Sequence, residues 1–396
     1  MDHGASTIDA SREAPQATFT ERIEELQRRA SERDPRGPAR AIFAIVLALL
    51  SFGFMLQASH AATTVPRALL GAELRELAAF RLAGVGILLG AWWLGPRRLA
   101  PFVPALTVMV MFALVAVYLP FIGAPRNGSH RWILIPGLRF GLQPSEFARV
   151  LLVLWVARRC ALLGPRIGEW RAGFAPTAAL GLAAFALVFL EPDLGGSILL
   201  LLCYGATLFV GGARMNHVAL AGSSLGGAAL LFGLSQFSHI RERIAVWTGE
   251  ATNDQVRRSA EAMASGDWFG VGLGQGLFRN ASLQYMQTDY ALALVGEEFG
   301  LFGVLLVVGL FAAFTWHALR LVLAVEDRFA ALTAFGLTVS VAFQAMLHLQ
   351  VVTGLAPPKG MALPFLSDGG SSLLASCLAV GLALGAARKP PPRRRA

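Results

Sequence analysis

Arg131, Glu146, Arg149, Asp193 and Lys359 are charged residues set inside or beside apolar runs. A charge there is costly unless it has a partner or a task. Arg149 is the sharpest case, because its run is apolar on both sides and a cation within a span costs roughly 2.5–3.5 kcal/mol on insertion scales. Glu146 precedes it by three residues and shares its helix face. The minimum reading is a buried ion pair, and the sharper one is a pair that faces a ligand. Pro144 suits a first helical turn and Glu146 suits the helix dipole, so a structural role for Glu146 stays open. Asp193, in Glu191-Pro-Asp-Leu-Gly-Gly-Ser197, suits an N-cap. Ser367, Gly369, Gly370 and Ser371 open a further apolar run, with Lys359 upstream. Small residues at a helix start leave backbone N–H groups for a phosphate, although a plain turn would use the same residues. Gln143 and Ser145 flank Pro144. Cations and helix starts can hold an anion, and carboxylates can move protons.

The elements that must position these residues are membrane helices. The 396 residues are 55% hydrophobic and 15% charged, against about 25% charged in soluble domains. A span needs roughly 20 apolar residues. About ten candidates occur, near 41–59, 78–95, 100–122, 145–163, 172–190, 195–213, 216–235, 291–319, 329–352 and 371–388. The fold class is therefore an all-α polytopic membrane protein with a large loop at 236–289, between the seventh and eighth spans. Residues 1–38 form a polar tail, in which Thr18 and Glu21 have capping-box spacing, residues 39–388 the transmembrane domain, and 389–396 a basic tail. The first apolar run is followed by further spans and is expected to stay as an anchor.

Arg97, Arg98, Arg158, Arg159, Arg166, Arg214, Arg320 and Arg328 fall in alternate short loops, which places both termini in the cytoplasm. A net charge of +9 distributed in this way argues for a membrane topology and against nucleic acid. The loops after spans three, five, seven and nine carry Ser129–Glu146, Glu191–Ser197, the large loop and Pro357–Ser372. All four then open on one, extracytoplasmic face, as a shared site requires. Cys160, Cys203 and Cys377 lie in or at the edge of apolar runs and are expected as small core residues. No His/Cys spacing suits zinc. Within the large loop, Gln255–Met263, including Ser259, has the pattern of a short amphipathic helix. Gly270–Gly276 suits a tight connecting turn, since no strand precedes it. Glu297 and Glu298 are adjacent, and at about 100° per residue at most one is expected to face the core.

Taken in order, Asn127–Trp132, Gln143–Glu146, Pro192–Gly195, Gln255–Gly266, Gly270–Gly276, Thr288–Tyr290, Glu297–Gly300 and Pro358–Ser372 resemble the SEDS family, the RodA/FtsW/SpoVE type. The resemblance implies ten membrane helices and a large extracytoplasmic loop bearing a catalytic aspartate. It implies a peptidoglycan glycosyltransferase in the bacterial plasma membrane that polymerises lipid II. Such a protein works with a class B penicillin-binding transpeptidase and other divisome or elongasome proteins. The leaving lipid pyrophosphate needs charge neutralisation, by arginines, a helix start or a divalent cation such as magnesium or manganese. The incoming hydroxyl needs a base. The family's Asp-Pro-x-Gly-x-Gly-Tyr-Gln segment is shortened here to Trp247–Asp254. Asp254 is the expected base and Glu250 the second choice. The family's Pro-Glu-x-His segment is Gln284–Gln287 here, and His348 replaces an asparagine and is expected as a core residue. The shortened loop leaves two other readings open, a lipid II transporter and an inactive scaffold that activates a transpeptidase.

Overall fold

The computed structural model describes residues 34–119, 123–126, 129–134, 141–277 and 288–388, among which lie twelve α-helices. Thr18, Glu21, Arg279, Gln284–Gln287 and Lys389–Arg395 fall outside these residues. The helices are α1 (Arg36–Thr64), α2 (Arg67–Leu99), α3 (Val103–Ala116), α4 (Pro144–Leu163), α5 (Ala175–Leu190), α6 (Leu194–Val210), α7 (Met215–Gln236), α8 (Ser238–Thr248), α9 (Asp254–Ser265), α10 (Ala291–Leu323), α11 (Arg328–Val352) and α12 (Gly370–Ala386).

Each of the ten apolar runs carries a helix, and α8 and α9 belong to the large loop. Six helical stretches are long and apolar enough to cross a membrane: α1, α2, α5 with the turn before it, α7, α10 and α11. The apolar helices α3, α6 and α12 are shorter. Helix α4 has 20 residues but includes Glu146, Arg149, Arg158 and Arg159. The chain is a multi-pass membrane protein. Helix α1 ends where Val65 turns extended (φ −93°, ψ 135°), the conformation forced on a residue before proline, here Pro66. Helix α2 kinks at Gly95-Pro96. It packs closely on α12, since a Cβ on Gly381 would stand 2.4 Å from the Leu88 carbonyl oxygen. Small residues at such crossings replace the hydrophobic drive that lipid removes.

The two ends of the bundle differ in composition. At one end Arg97 donates to the Arg388 carbonyl and lies 3.6 Å from Asp327, Arg388 Nη1 donates to the Trp93 carbonyl at 2.8 Å, and Arg328 Nη2 donates to the Gly211 carbonyl at 3.0 Å. The loops rich in arginine therefore meet, as their alternation requires. The other end gathers Arg131, Gln143, Asp193, Thr288 and Ser371.

Two expectations are corrected. The stretch after α3 is not all loop: Gly123–Arg126 (β1), Ser129–Leu134 (β2) and Gly141–Leu142 (β3) form a small antiparallel sheet in the order β1-β2-β3. Glu297 and Glu298 are both buried, at 0% and 1% exposure. Residues 266–277 wrap the start of α10 and cover the second face. Val271 N donates to the Glu297 carbonyl at 2.9 Å and Gly272 N to that of Glu298 at 3.2 Å. Glu298 Oε1 accepts from Ser59 Oγ at 3.2 Å and Gly274 N at 3.3 Å. The wrap needs glycine on both sides. Gly300 has φ +63°, and a Cβ there would sit 2.5 Å from Gly270 N. The three cysteines are free and buried.

Candidate active site

The site grows from the start of α6. Asp193 caps this helix, its Oδ1 accepting from Gly196 N at 2.9 Å. The same carboxylate lies 3.7 Å from Arg131 Nη1 on β2, and its Oδ2 accepts from Gln143 Nε2 at 3.3 Å. Gln143 Nε2 also reaches Ser145 Oγ at 3.1 Å, while its backbone N donates to Ser371 Oγ at 3.1 Å. Ser371 Oγ donates in turn to the Gly141 carbonyl at 3.2 Å. The sheet, the start of α4, the start of α6 and the start of α12 are thus tied at one point. The Lys359 stem runs over the start of α6, its Cδ 3.5 Å from where a Cβ on Gly195 would stand.

Below this layer is the pair predicted inside α4. Arg149 is 3% exposed, lies 3.1 Å from Glu146 Oε2 and donates to Gln344 Oε1 at 2.7 Å. Gln344 Nε2 passes the contact to Ser372 Oγ and the Ala362 carbonyl, each at 2.9 Å. His348 Nδ1 meets the Met361 carbonyl at 2.7 Å, the core role expected for it. Ser367 Oγ donates to the Thr288 carbonyl and accepts from Leu363 N, at 2.7 and 2.8 Å. The Ser367 and Ser371 hydroxyls are therefore ties between segments. Gly369 and Gly370 form the N-cap and first residue of α12.

Three residues join the cluster that the motif analysis did not single out as site residues. Arg243 comes from α8 and Asp289 from the turn before α10; each feels the charge of the other, of Arg131 and of Asp193. Glu191 is 1% exposed, and neither of its carboxylate oxygens has a hydrogen-bond partner among the described residues. Burial pushes its carboxyl up to about 9; neighbouring Asp193 pushes the same way and Arg131 opposes. Burial pushes Asp289 up to about 6, against Arg131 and Arg243 and with Asp193. Burial lowers Lys359 and Arg243; Asp193 opposes this in both, while the Arg243 charge adds to it at Lys359 and the Arg131 charge at Arg243. Three cations and three carboxylates thus share one end of the bundle, and Arg131, Arg243, Lys359 and Asp289 keep part of their surface open.

The structure does not bring the expected bases into this cluster. Asn253 caps α9, its Oδ1 accepting from Gln255 N at 2.9 Å and Val256 N at 3.3 Å. That turns Asp254 outward, where its side chain is 76% exposed and pairs with Arg257 at 3.4 Å. Glu250 is also exposed. Ser259 and Ala262, one turn apart, form the buried face of α9, and Met263 packs against Gly296 of α10. Gln255 is half-buried beside the cap. Among the described residues no three His, Cys, Asp or Glu side chains are arranged to hold a metal ion.

A family model for FtsW, RodA and SpoVE, described as "Cell cycle protein", matches residues 39–390. The chain belongs to the FtsW/RodA/SpoVE family. Among its FtsW/RodA/SpoVE relatives is "Probable peptidoglycan glycosyltransferase FtsW" of Trichlorobacter lovleyi, 36% identical over 288 residues, which cover 71% of this chain and 74% of that one. "Stage V sporulation protein E" of Bacillus subtilis is 34% identical over 296 residues, covering 72% and 78%. Among solved structures, a chain from work titled "Structural coordination of polymerization and crosslinking by a peptidoglycan synthase complex" matches with a TM-score of 0.69 and 25% identity, covering 87% of this chain and 95% of that one. The crystal structure of Thermus thermophilus RodA matches with a TM-score of 0.64 at 25% identity, covering 87% and 95%. The FtsW/RodA/SpoVE fold thus extends over nearly all of the described chain.

Proposed function

We propose that this protein is a peptidoglycan glycosyltransferase that polymerises lipid II into glycan strands during cell division or elongation. The observation that carries the reading is the meeting of Arg131, Arg243 and Lys359 at one end of a membrane bundle, beside the start of α6. A lipid-linked sugar diphosphate brings its negative charge to that depth while its tail stays among the helices. Lowering the charge on the departing diphosphate is the main task of such a site, and pre-placed cations do this with little reorganisation. Gln143 and Asp193 hold Arg131 in place, and the Glu146–Arg149–Gln344 network holds α4 against α11 and α12. The same reading places the protein in the bacterial plasma membrane with both termini in the cytoplasm. Its partners are a class B penicillin-binding transpeptidase and other divisome or elongasome proteins.

The test is glycan formation from purified lipid II by the full chain with its transpeptidase. Long glycans are expected, with a large loss in Arg243→Ala and Lys359→Ala. Normal polymerisation by both variants overturns the reading. The exposure of Asp254 and Glu250 favours a second reading, a scaffold that only activates a transpeptidase. That reading predicts no glycan from lipid II but normal growth when both loop acids are replaced.

A further inference from the structure

The fold leaves few carboxylates able to take a proton from an acceptor sugar. Asp193 is committed to Gly196 N, Arg131 and Gln143. Glu191 is sealed from solvent, and its high pKa keeps it protonated at neutral pH. Asp254 and Glu250 stand in solvent, and Asp254 is paired with Arg257. Asp289 differs from all of these. It feels the charges of Arg131 on β2 and Arg243 on α8, keeps part of its surface open, and belongs to the turn before α10. Ser367 Oγ holds the carbonyl of Thr288, the residue before it, at 2.7 Å. The Asp289 carboxylate lies close to the Gly360 backbone, since a Cβ there would stand 2.9 Å from Asp289 Oδ2.

We propose that Asp289, at the end of the large loop, is the base of the glycosyl transfer in this chain, in place of Asp254 or Glu250. The inference rests on the glycosyltransferase reading above. An Asp289 oxygen takes the proton of the acceptor hydroxyl. The hydroxyl oxygen forms its bond to the anomeric carbon of the donor sugar. The bond from that carbon to the diphosphate oxygen breaks, and its electron pair leaves on the diphosphate. Arg131, Arg243 and Lys359 offset the charge that develops there, and the proton on Asp289 is then lost to solvent. The groups facing Asp289 are Arg131 from β2, Asp193 from the start of α6, Arg243 from α8, and neighbouring Tyr290, with Lys359 beside Gly360. Burial raises Asp289 while Arg131 and Arg243 hold it down, which leaves it ionised at neutral pH yet basic enough to accept a proton, the condition a general base needs.

The experiment uses the full chain with its transpeptidase and purified lipid II, comparing wild type, Asp289→Asn, Asp289→Glu and Asp254→Asn. Asp289→Asn is expected to lose roughly 100- to 10,000-fold in turnover, the usual worth of a positioned base, while lipid II binding is kept. Asp254→Asn is expected to polymerise at the wild-type rate. Wild type is expected to show a limb near pH 6, which Asp289→Glu shifts while recovering part of the rate. Turnover by Asp289→Asn above half of wild type overturns the inference and leaves the glycosyltransferase reading standing. If Asp289→Asn does not fold, the absence of a limb near pH 6 in wild type overturns it instead. A wild-type chain that makes no glycan overturns the functional reading itself.

Discussion

Replacing Arg149 with methionine removes one half of a buried pair and keeps most of its volume. The guanidinium is 3% exposed, with Glu146 Oε2 at 3.1 Å and Gln344 Oε1 at 2.7 Å. At 3.1 Å and an effective dielectric of about 20, the gross Coulomb term is roughly 5 kcal/mol. Desolvation of both ions takes back most of that, so the intact pair is not a large net gain. Breaking it is different. Arg149→Met strands a carboxylate whose side chain is only 18% exposed, together with the Gln344 amide oxygen, and should destabilise the fold by about 3–5 kcal/mol. The double variant Glu146→Gln, Arg149→Met removes the stranded charge and should recover much of that loss. The assay is thermal unfolding of the purified protein in detergent, with the double-mutant cycle closed by Glu146→Gln alone. A single Arg149→Met variant within about 1 kcal/mol of wild type, or a double variant no better than the single, would refute a buried, mutually dependent pair.

Further outcomes follow from the same geometry. Polymerisation should fall as pH drops through about 6: Asp289 is pushed up to about 6, its ionised form accepts the proton, and one pH unit lower only about a tenth of the molecules carry that form. A pH–rate profile flat between neutrality and that point would contradict this sign. Gly300→Ala should lower the unfolding midpoint by the equivalent of at least about 1–3 kcal/mol, because φ +63°, ψ −161° is a region almost reserved for glycine and Gly270 N leaves no room for a Cβ. Asp193→Asn keeps an oxygen for Gly196 N but loses the Arg131 ion pair and the acceptor for Gln143, so its midpoint should fall less than that of Asp193→Ala. Asp193→Ala loses the cap and should cost about 1 kcal/mol, measured by the same thermal assay.

Much of this was legible from residue types and spacing. The ten apolar runs become helices because length and hydropathy settle that in a membrane. Glu146 and Arg149 pair as their three-residue spacing requires, and Gln143, Asp193, Arg131 and Lys359 meet because four polar loops open at one end. The sheet was hidden because its strands have four, six and two residues and its pairing lies between segments rather than within one. Burial of both Glu297 and Glu298 was hidden for a related reason, since helical phase says nothing of a loop that wraps the outer face. Asp254 is the expected base only as the last residue of the shortened Trp247–Asp254 segment, which no longer fixes the position of the carboxylate. The Asn253 cap, a local competition for the helix start, decides where Asp254 goes. Asp289 carried a weaker signal, a carboxylate placed directly before a 33-residue apolar helix.

The central claim is that Arg131, Arg243 and Lys359 neutralise a lipid-linked diphosphate at one end of the bundle. The most direct measurement is the initial rate of glycan formation from lipid II by the Arg243→Ala, Lys359→Ala double variant, set beside an Asp254→Asn, Glu250→Gln double variant of equal thermal stability. The account predicts that the first loses its activity and the second keeps it. A cation variant that polymerises at the wild-type rate, or a loop-acid variant that does not polymerise at all, would contradict it.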